Sequence, residues 1–308
     1  MRNSLIAFTP DRLGSPVERT SCEACGRELS ELRLRDGSLL SCCPICSHIE
    51  RDLAASPAHH RDLAYGGDPG LDRIRLGLTW RILERGTRLV AGTRVFEIGF
   101  GAGALLRRML DAGVKVSGCD PDQLGVRLDP RVEAEGDIHR VSLESLDPAD
   151  LPEPVDLVFG VHVIEHVENI HTVAQASLDV VRPGGHVAFM TPAADSLSAK
   201  LFSDAWWLLE DPTHVRFFSA TSAHAWLTTA GFEDVRVTRL LTDNLTMEGA
   251  SLVRLFRPSS RPDGVLGRRS VRWFATAIAP LALVVRLLVP RWRPTMLITA
   301  RRPDGSSL

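Results

Sequence analysis

The chain of 308 residues is short of lysine, of tyrosine and of any excess of charge. Lys115 and Lys200 are its only lysines, so arginine supplies nearly all of its 36 basic side chains, a bias of GC-rich coding rather than of chemistry. Set against 38 acidic residues they leave a net charge of −2, which argues against a surface that draws in nucleic acid by bulk electrostatics. No apolar stretch behind Arg2 is long enough for a signal peptide. Cytoplasmic location is therefore the expectation, and cysteines in that compartment serve as metal ligands rather than disulfides. An uninterrupted apolar run of about 20 residues, as a membrane-spanning helix needs, is also missing. Trp273–Val289 is almost wholly apolar, but Pro280 and Arg286 break it. A composition of 44% hydrophobic and 24% charged residues fits one large globular domain with a small appendage.

What the chain does have is a strand that turns through glycines into a helix. Val95, Phe96 and Ile98 read as a short buried strand, Gly99, Gly101 and Gly103 follow at alternate positions, and Ala104–Leu110 has helical spacing. Such a turn brings backbone N–H groups close to a ligand. A dinucleotide site uses G-x-G-x-x-G and does not want the carboxylate of Glu97 two residues ahead of the first glycine. A cationic aminoacyl sulfonium does. The next strand, Lys115–Cys119, ends at Asp120 and Pro121, where an acid about 20 residues beyond the glycines is placed to bind both hydroxyls of a ribose. After a further β-like run, Asp137 and Ile138 are candidates to lie beside an adenine.

With these residues the chain resembles the class I S-adenosylmethionine-dependent methyltransferases, from about Leu71 to Leu241 with a closing strand near Met296–Arg301. The resemblance implies an α/β fold: a Rossmann-like seven-stranded sheet, mostly parallel with an antiparallel last strand. It also implies a cofactor site made of Glu97, Gly99, Phe100, Gly101, Gly103, Asp120, Pro121, Asp137, Ile138, Val161 and His162. The run Val163–Val167 is similar to the post-strand motif of the small-molecule, ubiquinone-biosynthesis-like group. The Asn-Pro-Pro-Tyr motif of many nucleic-acid adenine methyltransferases is absent at that place.

Ahead of this domain stand Cys22-x-x-Cys25 and Cys43-x-x-Cys46, two knuckles at the spacing of a structural zinc site. Leu32–Leu34 and Leu39–Leu40 suggest a hairpin between them, Cys42 is the spare thiol, and His48 is an alternative ligand for one corner. The expected layout is an arm and zinc-ribbon-like module over residues 1–55, a linker and helix over 56–92, and the methyltransferase domain over 93–308. In the helix Leu71, Ile74, Leu78 and Ile82 fit one face, with Tyr65 and Arg75 near the ligand. The domain carries an insertion at about 242–293.

For an acceptor hydroxyl the chemistry needs a base. His214 is the first candidate and His162 and His166 its rivals, with Glu165 beside them; no carboxylate cluster points to magnesium. The expected function is methyl transfer to a small-molecule hydroxyl on a secondary metabolite, glycan or lipid-linked intermediate. Ribosomal RNA methyl transfer, sugar C-methylation and a non-catalytic cofactor-binding scaffold are the alternatives. Residues 250–308 hold eleven arginines against Asp263 and Asp304. A helix over about 272–293 lying on an anionic membrane with its arginines outward therefore stands beside a buried helix or a dimer surface. The sequence leaves the acceptor and the oligomeric state open.

Overall fold

The computed structural model describes residues 21–34, 39–52, 69–87, 89–121, 125–256 and 264–305, with the backbone alone at 69–72. Tyr65 and the linker around it lie outside the described residues. The chain begins with three short strands, β1 (Ser30–Arg33), β2 (Leu39–Cys42) and β3 (Ile49–Arg51), then the helix α1 (Pro69–Thr87). Strand–helix alternation follows: β4 (Arg94–Ile98), α2 (Ala104–Asp111), β5 (Lys115–Cys119), α3 (Pro130–Glu135), β6 (Asp137–His139), β7 (Val155–Val161), α4 (Ile170–Val180) and β8 (Val181–Pro192). Next come α5 (Leu197–Phe202), the two-residue β9 (Arg216–Phe217), α6 (Ala220–Thr229), β10 (Glu233–Leu240), α7 (Met247–Phe256), α8 (Arg269–Leu288) and β11 (Thr295–Arg301).

Seven strands form one sheet in the order β10-β11-β8-β7-β4-β5-β6. β4, β5, β6, β7 and β8 pair in parallel, and β11 lies antiparallel between β8 and β10. Parallel strands covered on both faces must be apolar throughout; Val95, Phe96 and Ile98 of β4 and Leu157, Val158 and Phe159 of β7 are all buried. Local chemistry sets the helix starts. Asn169 caps α4, and Ser219 with Ser222 forms a capping box on α6. The β-like run expected before Asp137 is instead helix α3. Asp129 accepts from the N–H groups of Arg131 and Val132, and Pro130 occupies its first turn, a start signal that outweighs the β-branched residue inside. On α1 the expected face is met in part. Ile74 is exposed, and the residues that pack on the sheet are Leu76, Trp80 and Leu83 together with Ile82 of the expected face.

The cysteine segment shares a core and a sheet with the insertion after β8. β9 adds to β3 in a four-stranded sheet, β1-β2-β3-β9. Leu34 and Leu40 join Ala194, Trp206, Leu208, Phe217 and Met247 in one apolar cluster. Arg216, fully buried, donates to both oxygens of Glu23 and to the carbonyls of Val167 and Glu168. Burial raises the Glu23 carboxyl, but the hydrogen bond from His48 and the Arg216 charge outweigh that and hold it well below the usual carboxylate range. This ion pair stitches the N-terminal segment to the wall of the sheet's C-terminal edge.

Candidate active site

The chain leaves β4 for β5 and β6 on one side and returns to β7 on the other. β4 and β7 therefore bound the switch point, where ligands sit beyond the strand C-termini. The glycine turn lies there. Gly99, Gly101 and Gly103 have φ of 70°, 51° and 72°, in the left-handed region. A Cβ on Gly99 would come 2.9 Å from Val163 Cγ2 and one on Gly103 2.6 Å from Leu128 Cδ1, so space as well as backbone excludes a side chain. The turn feeds α2, whose N-cap Gly103 offers no side-chain cap. The first N–H groups of that helix are thereby kept for a ligand.

Two acids face this turn. Glu97 is buried and its Oε2 has no partner. Burial, and next the charge of Asp120, push its carboxyl well above the usual range. Asp120 Oδ2 accepts a 2.8 Å hydrogen bond from the Gly101 N–H, so the ribose candidate also braces the turn. A buried carboxyl with one unpaired oxygen beside a glycine turn fits the ammonium of an aminoacyl sulfonium, and on that ground these residues suit S-adenosylmethionine. Phe100 is buried in the core beneath the turn, and Pro121 is exposed just past β5. Val161 ends β7 opposite Met190. Asp137 and Ile138 pair with Ser117 and Gly118, whereas His139 is level with Cys119 at the end of β5. The register thus sets Asp137 two residues below His139 along this edge.

Three histidines meet beyond β7, and the structure separates their roles. His162 has φ 54°, and its N–H donates to the Met190 carbonyl at 2.8 Å. Its Nδ1 lies 3.0 Å from Glu165 Oε1 and its Nε2 2.8 Å from Asp243 Oδ2. Burial lowers its pKa, but the Asp243 and Glu165 carboxylates raise it further, to about 9. A protonated imidazolium with both nitrogens engaged accepts no proton at neutral pH. Both ring nitrogens of His162 are thus engaged by carboxylates, an arrangement that favours its cationic form. Asp243 and Glu165 are raised by burial and lowered further by His162, ending below the ordinary carboxylate range.

His214 differs. Its Nδ1 lies 2.8 Å from the Leu208 carbonyl, which can only accept, so Nδ1 is the donor in that contact. His166 is held in the same way by the Thr213 carbonyl at 2.9 Å. The two rings stand 4.6 Å apart, and with Glu165 they bring three ligand-capable atoms within 4.8 Å of one another. Two imidazoles turned by backbone carbonyls beside a carboxylate can share a proton or hold a cation. The sequence named these three residues separately; what joins them is the 211–216 segment, whose Val215 and Arg216 N–H groups bond the Glu165 carbonyl. Asp243 had no motif at all; Arg75 of α1 comes 3.8 Å from its Oδ1.

The four knuckle cysteines converge on one point. The Sγ separations are 3.6 Å for Cys22–Cys46, 3.6 Å for Cys25–Cys43 and 3.4 Å for Cys25–Cys46, with all four within 4.8 Å. Zinc–sulfur bonds of about 2.3 Å in a tetrahedron need sulfurs about 3.8 Å apart, so the set fits the metal. Each knuckle closes with a hydrogen bond back to its first cysteine and a left-handed residue, Gly26 and Ser47. Burial is the main cause that pushes the Cys22 thiol up to about 12, a cost that a bound cation removes. His48 is no ligand here. Its Nδ1 meets Ser222 Oγ and its Nε2 meets Glu23. Cys42 points to the Cys43 carbonyl, outside the set.

Comparison with known proteins agrees with this edge. A methyltransferase domain family matches residues 72–237. The ubiquinone biosynthesis O-methyltransferase of Ralstonia nicotianae is 33% identical over 109 residues, covering 34% of this chain and 45% of that enzyme. That of Pseudomonas entomophila is 29% identical over 167 residues, 51% of this chain and 72% of that enzyme. The chain thus spans less than half the length of the first of these relatives. A chain from the complex of a Haloferax volcanii methyltransferase activator with a methyltransferase superimposes with a TM-score of 0.51 at 16% identity, over 80% of this chain and 100% of that one, and shares the fold. Since the family match takes in β4 to β8, the glycine turn and more than half of the residues, this chain belongs to the methyltransferase domain family.

Proposed function

We propose that the protein is an S-adenosylmethionine-dependent methyltransferase acting on a hydroxyl of a small molecule, a secondary metabolite, glycan or lipid-linked intermediate. The observation that carries the reading is the buried Glu97, its Oε2 unpaired, beside the glycine turn that Asp120 braces. The cofactor supplies an electrophilic methyl group on a sulfonium. The chain's own work is to hold donor and acceptor in line and to take the acceptor's proton. Glu97 neutralises the ammonium, Asp120 engages the ribose, and the turn's N–H groups hold the carboxylate end. His214 Nε2 removes the proton, with His166 and Glu165 beside it to stabilise the imidazolium. His162, held cationic by Asp243 and Glu165, keeps water and anions in a fixed field at the mouth.

We further propose that Cys22, Cys25, Cys43 and Cys46 bind a structural Zn2+, since four thiolates leave no open position for catalysis. A cytoplasmic protein keeps those thiols reduced. Nucleic acid is not the proposed acceptor; the near-neutral charge speaks against it. The test is incubation of the purified protein with methyl-labelled S-adenosylmethionine and a host-cell extract, followed by partition of the label. Label in organic or aqueous small molecules is expected. Label in RNA would overturn the acceptor class and make the zinc segment an RNA reader.

A further inference from the structure

α8 is the 20-residue helix that by length and composition alone is apolar enough to cross a membrane. Its two faces argue for another arrangement. The inner face is locked to α7. Arg286, buried, donates from Nε and Nη2 to the two oxygens of Glu248 at 2.7 Å each, and to the carbonyls of Leu241, Asp243 and Asn244. Gly249 of α7 lets the helices touch: a Cβ there would fall 2.4 Å from Ala275 Cα. Spanning a bilayer would strip Arg286 of these partners, a cost no apolar stripe of this length offsets. The expected outward arginine is thus turned inward.

The outer face carries the opposite chemistry. Trp273, Phe274, Leu281, Val284, Leu287 and Leu288 recur at helical spacing and are 43–74% exposed. No charged residue interrupts them between Arg269 and the end of the helix on that face. Exposed Arg268 and Arg269 stand at one end and exposed Arg291 beyond the other. No acidic residue occurs anywhere between Gly264 and Pro303. A contiguous exposed apolar stripe marks an interaction surface, and the charge at its ends selects the occupant. Two copies packed through this face, parallel or antiparallel, would set arginine against arginine. An anionic lipid surface meets both ends favourably while the stripe enters the acyl boundary.

We propose that α8 lies flat on an anionic bilayer, with Trp273 and the leucines inserted and Arg268, Arg269 and Arg291 on lipid phosphates. The helix then reaches the catalytic mouth through one residue: Arg286 holds the Asp243 carbonyl, and the Asp243 carboxylate holds His162. The proposal stands on this surface alone and does not depend on the acceptor.

The test is flotation of the full-length protein with vesicles of phosphatidylcholine alone and of phosphatidylcholine mixed with phosphatidylglycerol, read with tryptophan emission. Binding to the mixed vesicles, weakened by salt and accompanied by a blue shift, is expected. Replacing Arg268, Arg269 and Arg291 by glutamine should weaken it roughly 100-fold. A Leu281→Asp, Leu288→Asp variant, altered only on the exposed face and checked for native circular dichroism, should not float. Equal binding to both vesicle types would overturn the arginine argument. Absence of binding to either would overturn the proposal, and so would a concentration-dependent dimer that the double aspartate variant dissolves, which would make the face a contact between copies.

Discussion

The His162 cation gives the sharpest test of the site. Its pKa rises from the ordinary 6.5 to about 9 because Asp243 and Glu165 flank it in a buried place. A group whose folded pKa is raised contributes stability that is complete below its unfolded pKa and is lost as the pH climbs through the folded one. From 6.5 to about 9, at about 1.36 kcal/mol per pH unit, the contribution is roughly 3 kcal/mol. It is present at about pH 6 and gone by about pH 10. Asp243→Asn removes the larger of the two charged partners and leaves a hydrogen bond in its place. The stability difference between those pH values, measured by urea unfolding, should shrink by about 2 kcal/mol relative to the parent. Groups that titrate elsewhere contribute equally to both proteins and cancel. Imidazole nitrogen NMR on the parent reads the same quantity directly. A His162 resonance that titrates near 6.5, or an unchanged pH dependence in the variant, would refute the fixed cation and return His162 to the candidate bases.

Three further outcomes follow from the geometry. Asp120→Ala should abolish binding of S-adenosylhomocysteine in calorimetry while the fold persists, and the freed Gly101 N–H should show faster hydrogen exchange; tight binding would dismiss the cofactor assignment. Cys22→Ser with Cys43→Ser should lose stoichiometric zinc by atomic emission. Because Leu34 and Leu40 share a cluster with Trp206 and Phe217, the thermal transition of the whole chain should fall with it, not a separate early step. His214→Ala should lower kcat by 10²–10⁴-fold, the usual worth of a general base, and leave cofactor affinity nearly unchanged, whereas an unaltered kcat would hand the proton to His166.

Much of this protein was written locally. Alternate glycines after Val95–Ile98 announce a turn because only they tolerate left-handed backbone where Val163 and Leu128 leave no room for a Cβ. The C-x-x-C pairs announce a cluster of thiols because each knuckle is a short-range turn and the hairpin between them brings the two together. The strand Lys115–Cys119 and a closing strand near Met296–Arg301 were legible from runs of residues that lie close together in the chain. Where the local signals competed, the reading slipped: the Asp129–Pro130 start made a helix of the run before Asp137, and that moved the acid to the foot of a strand.

What the chain could not disclose is whatever depends on pairs distant in sequence. Asp243 meets His162 across 81 residues and Glu248 meets Arg286 across 38, and neither pairing has a periodicity or motif. His214 looked like a roof histidine and His162 like its equal. Two carboxylates flank one and raise its pKa, whereas a backbone carbonyl holds the other. Likewise Arg286 read as a break in an apolar run facing solvent. Tertiary contact turned it inward and left the apolar side out, because a buried arginine is tolerable only where a carboxylate and several carbonyls converge on it. Composition and spacing thus determined the elements, the glycine turn and the thiol set. Only the assembled structure decided protonation, facing and partnership, since these arise from the electric field and free space that distant segments create together.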